Sequence, residues 1–301
     1  MTTTENTARM HRPVAQVITA HRQTEGGGFV VRRPFPTAGV EQLDPFLLLD
    51  EMGPVDYGPG EAIGAPDHPH RGFETVTYML DGAMEHRDST GAVGVIRPGA
   101  VQWMTAGSGV VHSEMPPDDL RRAGGRSHGF QLWVNLRAED KMIPPRYQGF
   151  EADQFTRVDL PAGGKLRVLA GEVAGARGPV ETTIPVTYAH VSLVAGDILE
   201  WDVARGETAL VYVFEGSAEV NGSDAVEGQL VVLDRSTGGV DLATGGSAEA
   251  LLLAGQPLNE PIARYGPFVM NTREEIMQAF DDYQTGKLGS IPAPGSGIDR
   301  G

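Results

Sequence analysis

Apolar residues along the chain fall in short alternating runs: VGVIRPGAVQWMTAG, GFQLWVNL, KLRVLAGEV, TYAHVSLVAGDILEWDV, TALVYVFEG, QLVVLD and EALLLAG, each bounded by Gly, Pro or Asp. Runs of this kind, with turn signals at roughly 8 to 12 residue intervals, predict an all-β sandwich or barrel. The helical segments that a parallel α/β sheet would need between its strands are missing. One segment has a different period. In MNTREEIMQAFDDYQTGKLG, Thr272 and Glu275 form a capping box, Ile276, Met277, Phe280 and Tyr283 recur at helical spacing, and Gly286 is a stop. This predicts one short C-terminal helix that packs against a barrel and carries no chemistry of its own. Residues 291–301 read as a disordered tail.

The strand pattern also repeats. Residues 77–85, TYMLDGAME, align with residues 211–219, VYVFEGSAE, and each is followed by a second strand led by glycine, GAVQWM from Gly99 and GQLVVL from Gly228. A fixed order of features predicts two copies of one β unit. The length, 301 residues, agrees with two compact units at roughly 100 to 200 residues each. The 40 Gly and 21 Pro fit many tight turns.

Charge narrows the partners. A formal net charge of −16, with only three of the 24 basic residues being lysines, repels phosphate backbones and acidic membrane surfaces. Direct nucleic-acid binding is disfavoured. No cysteine occurs, which excludes disulfides, thiolate ligands and iron–sulfur clusters. The N-terminal MTTTENTARMHRP has no apolar signal region, and no apolar run approaches the roughly 20 residues that span a bilayer. The expected location is the cytoplasm.

Chemistry concentrates in two short stretches. In PDHPHRGFETVTY, His68 and His70 stand two residues apart, and in VVHSEMP, His112 and Glu114 repeat that spacing. Side chains at i and i+2 share one face of a strand, so two such pairs on facing strands converge three imidazoles and a carboxylate. That is an N/O metal site suited to Fe(II), Mn(II), Ni(II), Cu(II) or Zn(II), with positions left open for water, dioxygen or a chelating substrate. Glu74 is the rival carboxylate. It lies on the same face as His70 but roughly 13 Å further along a straight strand, so it reaches the metal only if the chain bends at Gly72. It is ranked below Glu114, as an outer partner or substitute ligand. His86 and His128 stand outside the paired pattern and read as surface residues or partners of the ligands. No histidine occurs in EWDVARGET or anywhere in residues 203–301, so the second copy lacks the site.

DPFLLLDEMG at 44–53, HPHRGFETVTYMLDG at 68–82, QWMTAGSGVVHSEMP at 102–116, GFQLWVNL at 129–136 and LNEPIARYGPFVMNTREEI at 258–276 together resemble the pirin family of the cupin superfamily. The resemblance implies two cupin (jelly-roll type) β-barrels in tandem: a metal-binding barrel over residues 8–145 and a metal-free barrel over 146–290. It implies one iron held by His68, His70, His112 and Glu114. It also implies one of two activities: a quercetin 2,3-dioxygenase that opens a flavonol ring with dioxygen and releases carbon monoxide, or a redox-responsive regulator acting through protein partners. In the enzyme, Glu114 or Glu74 would take the hydroxyl proton of the flavonol.

Overall fold

The computed structural model describes residues 9–25 and 28–293. It is all-β apart from two short α-helices and one 3-10 turn, as the alternating runs predict. The expected tail lies outside the described residues from 294 onward.

Contacts divide the chain into two units, and each is discontinuous: residues 21–154 join those from 258 onward, and residues up to 20 join 155–257. The linear cut between 145 and 146 therefore differs from the observed division, because the strands that complete each barrel come from distant sequence. Val14–Thr19 pairs antiparallel with Gln229–Leu233, with Val17 opposite Val231 and Thr19 opposite Gln229. Arg146–Phe150 stays with the first unit by pairing with Val101–Thr105. The C-terminal segment returns to the first unit, where Val269 N–H donates to Arg71 O at 3.1 Å.

The first unit is built on two antiparallel sheets, with a two-stranded ribbon of Ala263–Tyr265 and Phe268–Met270 from the C-terminal segment. The larger runs Arg146–Phe150, Val101–Thr105, Phe73–Asp81, Gly125–Asn135, Phe46–Tyr57, Phe29–Phe35, His21–Glu25, and the smaller runs Ala65–His70, Val110–Met115, Met84–Asp88, Val93–Ile96. Both paired-residue stretches fall on adjacent strands of the smaller sheet.

The second unit repeats part of this plan. In the first unit Thr77 lies opposite Gln102 and Tyr78 opposite Val101. In the second, Val211 lies opposite Val231 and Tyr212 opposite Leu230. The register reproduces the sequence repeat residue for residue. Its interior is apolar, with Trp201, Val211, Val213, Val231, Leu242 and Leu252 in one buried cluster.

The C-terminal helix spans Arg273–Gln284, and Thr272 and Glu275 form the expected capping box. Ile276 and Ala279 are buried, and Phe280 packs on Phe268 at 4.9 Å. Met277 is exposed, because the inward stripe runs through Ala279 rather than Met277. Among the described residues no helix is long and apolar enough to cross a membrane.

Candidate metal centre

His68 and His70 lie on Ala65–His70, and His112 lies on the neighbouring Val110–Met115, with His112 directly opposite His68. One ligating nitrogen from each of the three comes within 4.8 Å of the others. No other such group of three occurs among the described residues. The i, i+2 spacing and the antiparallel register thus bring together the imidazoles expected from the sequence.

Each ring is held by one nitrogen. His68 Nδ1 lies 2.7 Å from Pro66 O, and His70 Nδ1 lies 3.2 Å from Pro267 O, on the returning C-terminal segment. His112 Nδ1 lies 3.4 Å from His86 Nδ1. The Nε2 of His112 is buried without a hydrogen-bond partner. A buried polar nitrogen of this kind is costly unless something fills its lone pair, and a metal ion fits. Burial, with the neighbouring imidazoles next, pushes the His70 pKa down to about 3 and holds that of His112 well below the usual histidine range. Both rings are neutral at physiological pH, the form in which imidazole ligates.

The same shift makes the metal-free protein acid-sensitive. The unfolded chain takes up a proton at His70 below about 6.5 and the folded one only near 3, so stability falls as pH drops across that interval. At pH 5 this ring alone costs about 2 kcal/mol relative to pH 7. Urea titrations of metal-free protein at the two pH values measure the loss, which should shrink in His70→Leu.

Glu114 shares the His112 face but stands outside the group of three. Its Oε1 accepts from Thr77 Oγ1 at 2.7 Å and from Gln102 Nε2 at 3.3 Å. Its Oε2 accepts no hydrogen bond, and the residue lines the chamber above the histidines. That chamber has a volume of about 580 Å³ and is walled by Leu48, Met52, Trp133 and Arg264. Arg264 lies 4.8 Å over the Trp133 ring, and Trp133 packs on His70 at 5.3 Å. The chamber's other deeply buried carboxylate, Asp50, has both oxygens taken by Arg33, at 2.6 and 2.5 Å. Burial pushes its pKa up to about 6 against the pull of Arg33.

Glu74 is a correction. The chain does not continue straight past His70: Gly72, at φ 87°, separates Ala65–His70 from Phe73–Asp81. The break resets the alternation, so Thr77 points to Glu114 while Glu74 falls on the opposite face of its strand. There its Oε1 accepts from Thr105 Oγ1 at 2.7 Å. Glu74 is fully buried and does not line the chamber.

Two contributions escaped the sequence reading. The C-terminal segment supplies Pro267 O to His70 and Arg264 to the chamber. Asp282 of the helix pairs with Arg71 at 2.9 Å, fixing the residue next to His70. His86 is fully buried beneath His112 rather than at the surface. Its spacing to Asp88 is a third i, i+2 pair of His and carboxylate, which was a readable signal.

Comparison with known proteins bears on both units. The family profile described as Pirin matches residues 28–134, and the Pirin C-terminal cupin domain matches residues 188–289. A relative from Pseudomonas aeruginosa bearing the name "Putative quercetin 2,3-dioxygenase" is 46% identical over 273 residues, 89% of this chain and 95% of its own. A pirin-like protein of Caulobacter vibrioides is 44% identical, across 92% of this chain and 99% of its own. The crystal structure of a quercetin 2,3-dioxygenase from Acinetobacter baumannii superposes with a TM-score of 0.88 at 41% identity, covering 94% of this chain and all of that one.

Proposed function

The chain belongs to the pirin family, and on that premise we propose that it is a metal-dependent quercetin 2,3-dioxygenase, opening the flavonol ring with dioxygen and releasing carbon monoxide. One observation carries the reading. Three imidazoles converge beside a chamber of about 580 Å³, a size suited to one flat aromatic ligand, next to a carboxylate oxygen that accepts no hydrogen bond. The names borne by the relatives from Pseudomonas aeruginosa and Acinetobacter baumannii support the same substrate class.

His68, His70 and His112 would hold the ion through Nε2, and Fe(II) is the proposed metal. When bound, it supplies Lewis acidity toward the flavonol 3-hydroxyl and an electron path to dioxygen. The remaining work belongs to the protein. Thr77 and Gln102 hold Glu114 by Oε1, leaving Oε2 to take the 3-hydroxyl proton. Leu48, Met52 and Trp133 offer apolar walls that orient the ring and exclude water, and Arg264, in the same wall, lies over the Trp133 ring.

An oxygen electrode tests this directly. Metal-loaded protein should consume dioxygen when quercetin is added, and His70→Ala should not. Absence of turnover across a flavonol panel with Fe, Mn, Ni, Cu and Zn overturns the reading.

A further inference from the structure

The three imidazoles differ in what fixes them. A histidine that ligates through Nε2 must carry its proton on Nδ1, and Nδ1–H needs an acceptor. For His68 and His70 the acceptors are the backbone carbonyls of Pro66 and Pro267, which can only accept. The partner of His112 is another imidazole, and His86 Nδ1 accepts or donates according to its own tautomer.

Asp88 settles that tautomer. Its Oδ2 lies 2.9 Å from His86 Nε2, and a carboxylate oxygen only accepts, so the His86 proton sits on Nε2. His86 Nδ1 then presents a lone pair to His112 Nδ1–H, and His112 Nε2 is left to ligate. The carboxylate cannot rotate away, because its Oδ1 accepts from Thr90 N–H at 2.8 Å, Thr90 Oγ1 at 2.6 Å and Ala92 N–H at 3.1 Å. Nor is His86 free to turn over, since Tyr147 stacks on it at 4.8 Å and 28° and the residue is fully buried. These bonds also hold the Asp88 carboxyl below the usual range, although burial pushes the other way.

We infer that Asp88, acting through His86, is a positioning residue that sets which nitrogen of His112 faces the metal. Asp88 stands opposite His112 on the adjacent strand, but its carboxylate bonds only His86, Thr90 and Ala92, so a side-chain change that keeps its shape acts on His112 through the proton placement of His86. The inference rests on the metal site and not on the dioxygenase reading.

Asp88→Asn is the decisive variant because it keeps the shape and reverses the outcome. Two backbone N–H groups must still find an oxygen at the Oδ1 position, so the amide NH2 is forced toward His86 Nε2. His86 then carries its proton on Nδ1 and points it at His112 Nδ1, which must accept. The His112 proton moves to Nε2, on the ligating side. His86→Gln should preserve the wild-type arrangement, since its amide donates to Asp88 and its carbonyl accepts from His112, whereas His86→Phe removes the acceptor.

Nitrogen-15 NMR of histidine-labelled, metal-free protein reads the tautomers, and chelator competition with zinc as a diamagnetic probe reads affinity. Wild type should show His112 protonated on Nδ1 and Asp88→Asn on Nε2, with zinc affinity falling by roughly 10- to 100-fold. The thermal midpoint of the metal-free protein should hardly change. If Asp88→Asn does not fold, the comparison passes to His86→Gln, expected to bind zinc as wild type does, and His86→Phe, expected to lose affinity. An Nε2–H form of His112 in wild type, wild-type zinc affinity in Asp88→Asn, or equal affinities of the two His86 variants overturns the inference. Loss of dioxygen uptake alone does not bear on it.

Discussion

Gly72→Ala should cost on the order of 4 kcal/mol and take metal binding with it. The residue sits at φ 87°, and a Cβ there would come within 2.0 Å of Val269 O and 2.8 Å of Met270 Sδ. Backbone strain contributes about 1–3 kcal/mol, and forcing apart a packed contact contributes about 1–3 more. The neighbouring geometry leaves no slack. Lys141 Nζ bonds both Gly72 O at 2.6 Å and Val269 O at 3.1 Å, so the C-terminal segment cannot withdraw without breaking a buried cation's bonds. That segment also carries Pro267 O, the partner of His70 Nδ1. Gly60→Ala is the control, at φ 83° with nothing within 4 Å of the added carbon. It should lose only the strain and keep its metal. Urea midpoints and metal content of both variants decide the point, and equal losses would contradict the close approach to Val269.

Strand alternation and residue spacing make most of the centre legible in the sequence. Parity placed His68, His70 and His112 together because each pair lies within one uninterrupted strand. Glu74, ranked below Glu114, was placed on the His70 face by carrying parity through Gly72 and brought within reach only by a bend there, and the left-handed residue that bends the chain also resets the parity. The unit boundaries were illegible because alternation marks where strands are and says little about which distant strand closes a sheet. Nothing local to Val14–Thr19 signals a partner more than 200 residues away, and nothing in Pro267 signals that its carbonyl will receive an imidazole. His86 lay between these cases. Its spacing to Asp88 was visible, but its contact with His112 depends on the adjacent strand Met84–Asp88, where Glu114 stands opposite His86.

The repeat explains why, among the described residues, the three-histidine group occurs in one unit and not in the other. The side chains that hold Glu114 Oε1, Thr77 and Gln102, occupy the positions of Val211 and Val231 in the second unit, and both valines lie in its apolar core. Losing histidines alone would leave a polar interior with buried groups unsatisfied. Replacing the supporting residues as well gives a barrel filled by hydrophobic packing, stable without an ion.

Glu114→Gln should lower turnover by roughly 10²- to 10⁴-fold, the usual worth of a positioned general base, while the protein keeps its metal. The amide can still accept from Thr77 and Gln102 through one oxygen, so the side chain stays in place, but it has no lone-pair oxygen left for the substrate proton. The three Nε2 atoms would hold the ion without it, since Glu114 stands outside their group. Substrate affinity should change little, because the chamber walls that grip the ring are untouched, and kcat should carry the loss. Thr77→Val separates orientation from proton transfer. It removes the shorter of the two bonds to Oε1 while leaving the one from Gln102 and the carboxylate itself, so its loss should be well below that of Glu114→Gln. Metal analysis beside steady-state kinetics makes the assignment. A Glu114→Gln protein that purifies without metal would make this carboxylate a fourth ligand, and one with full metal and full turnover would leave the proton to be taken by another group in the chamber.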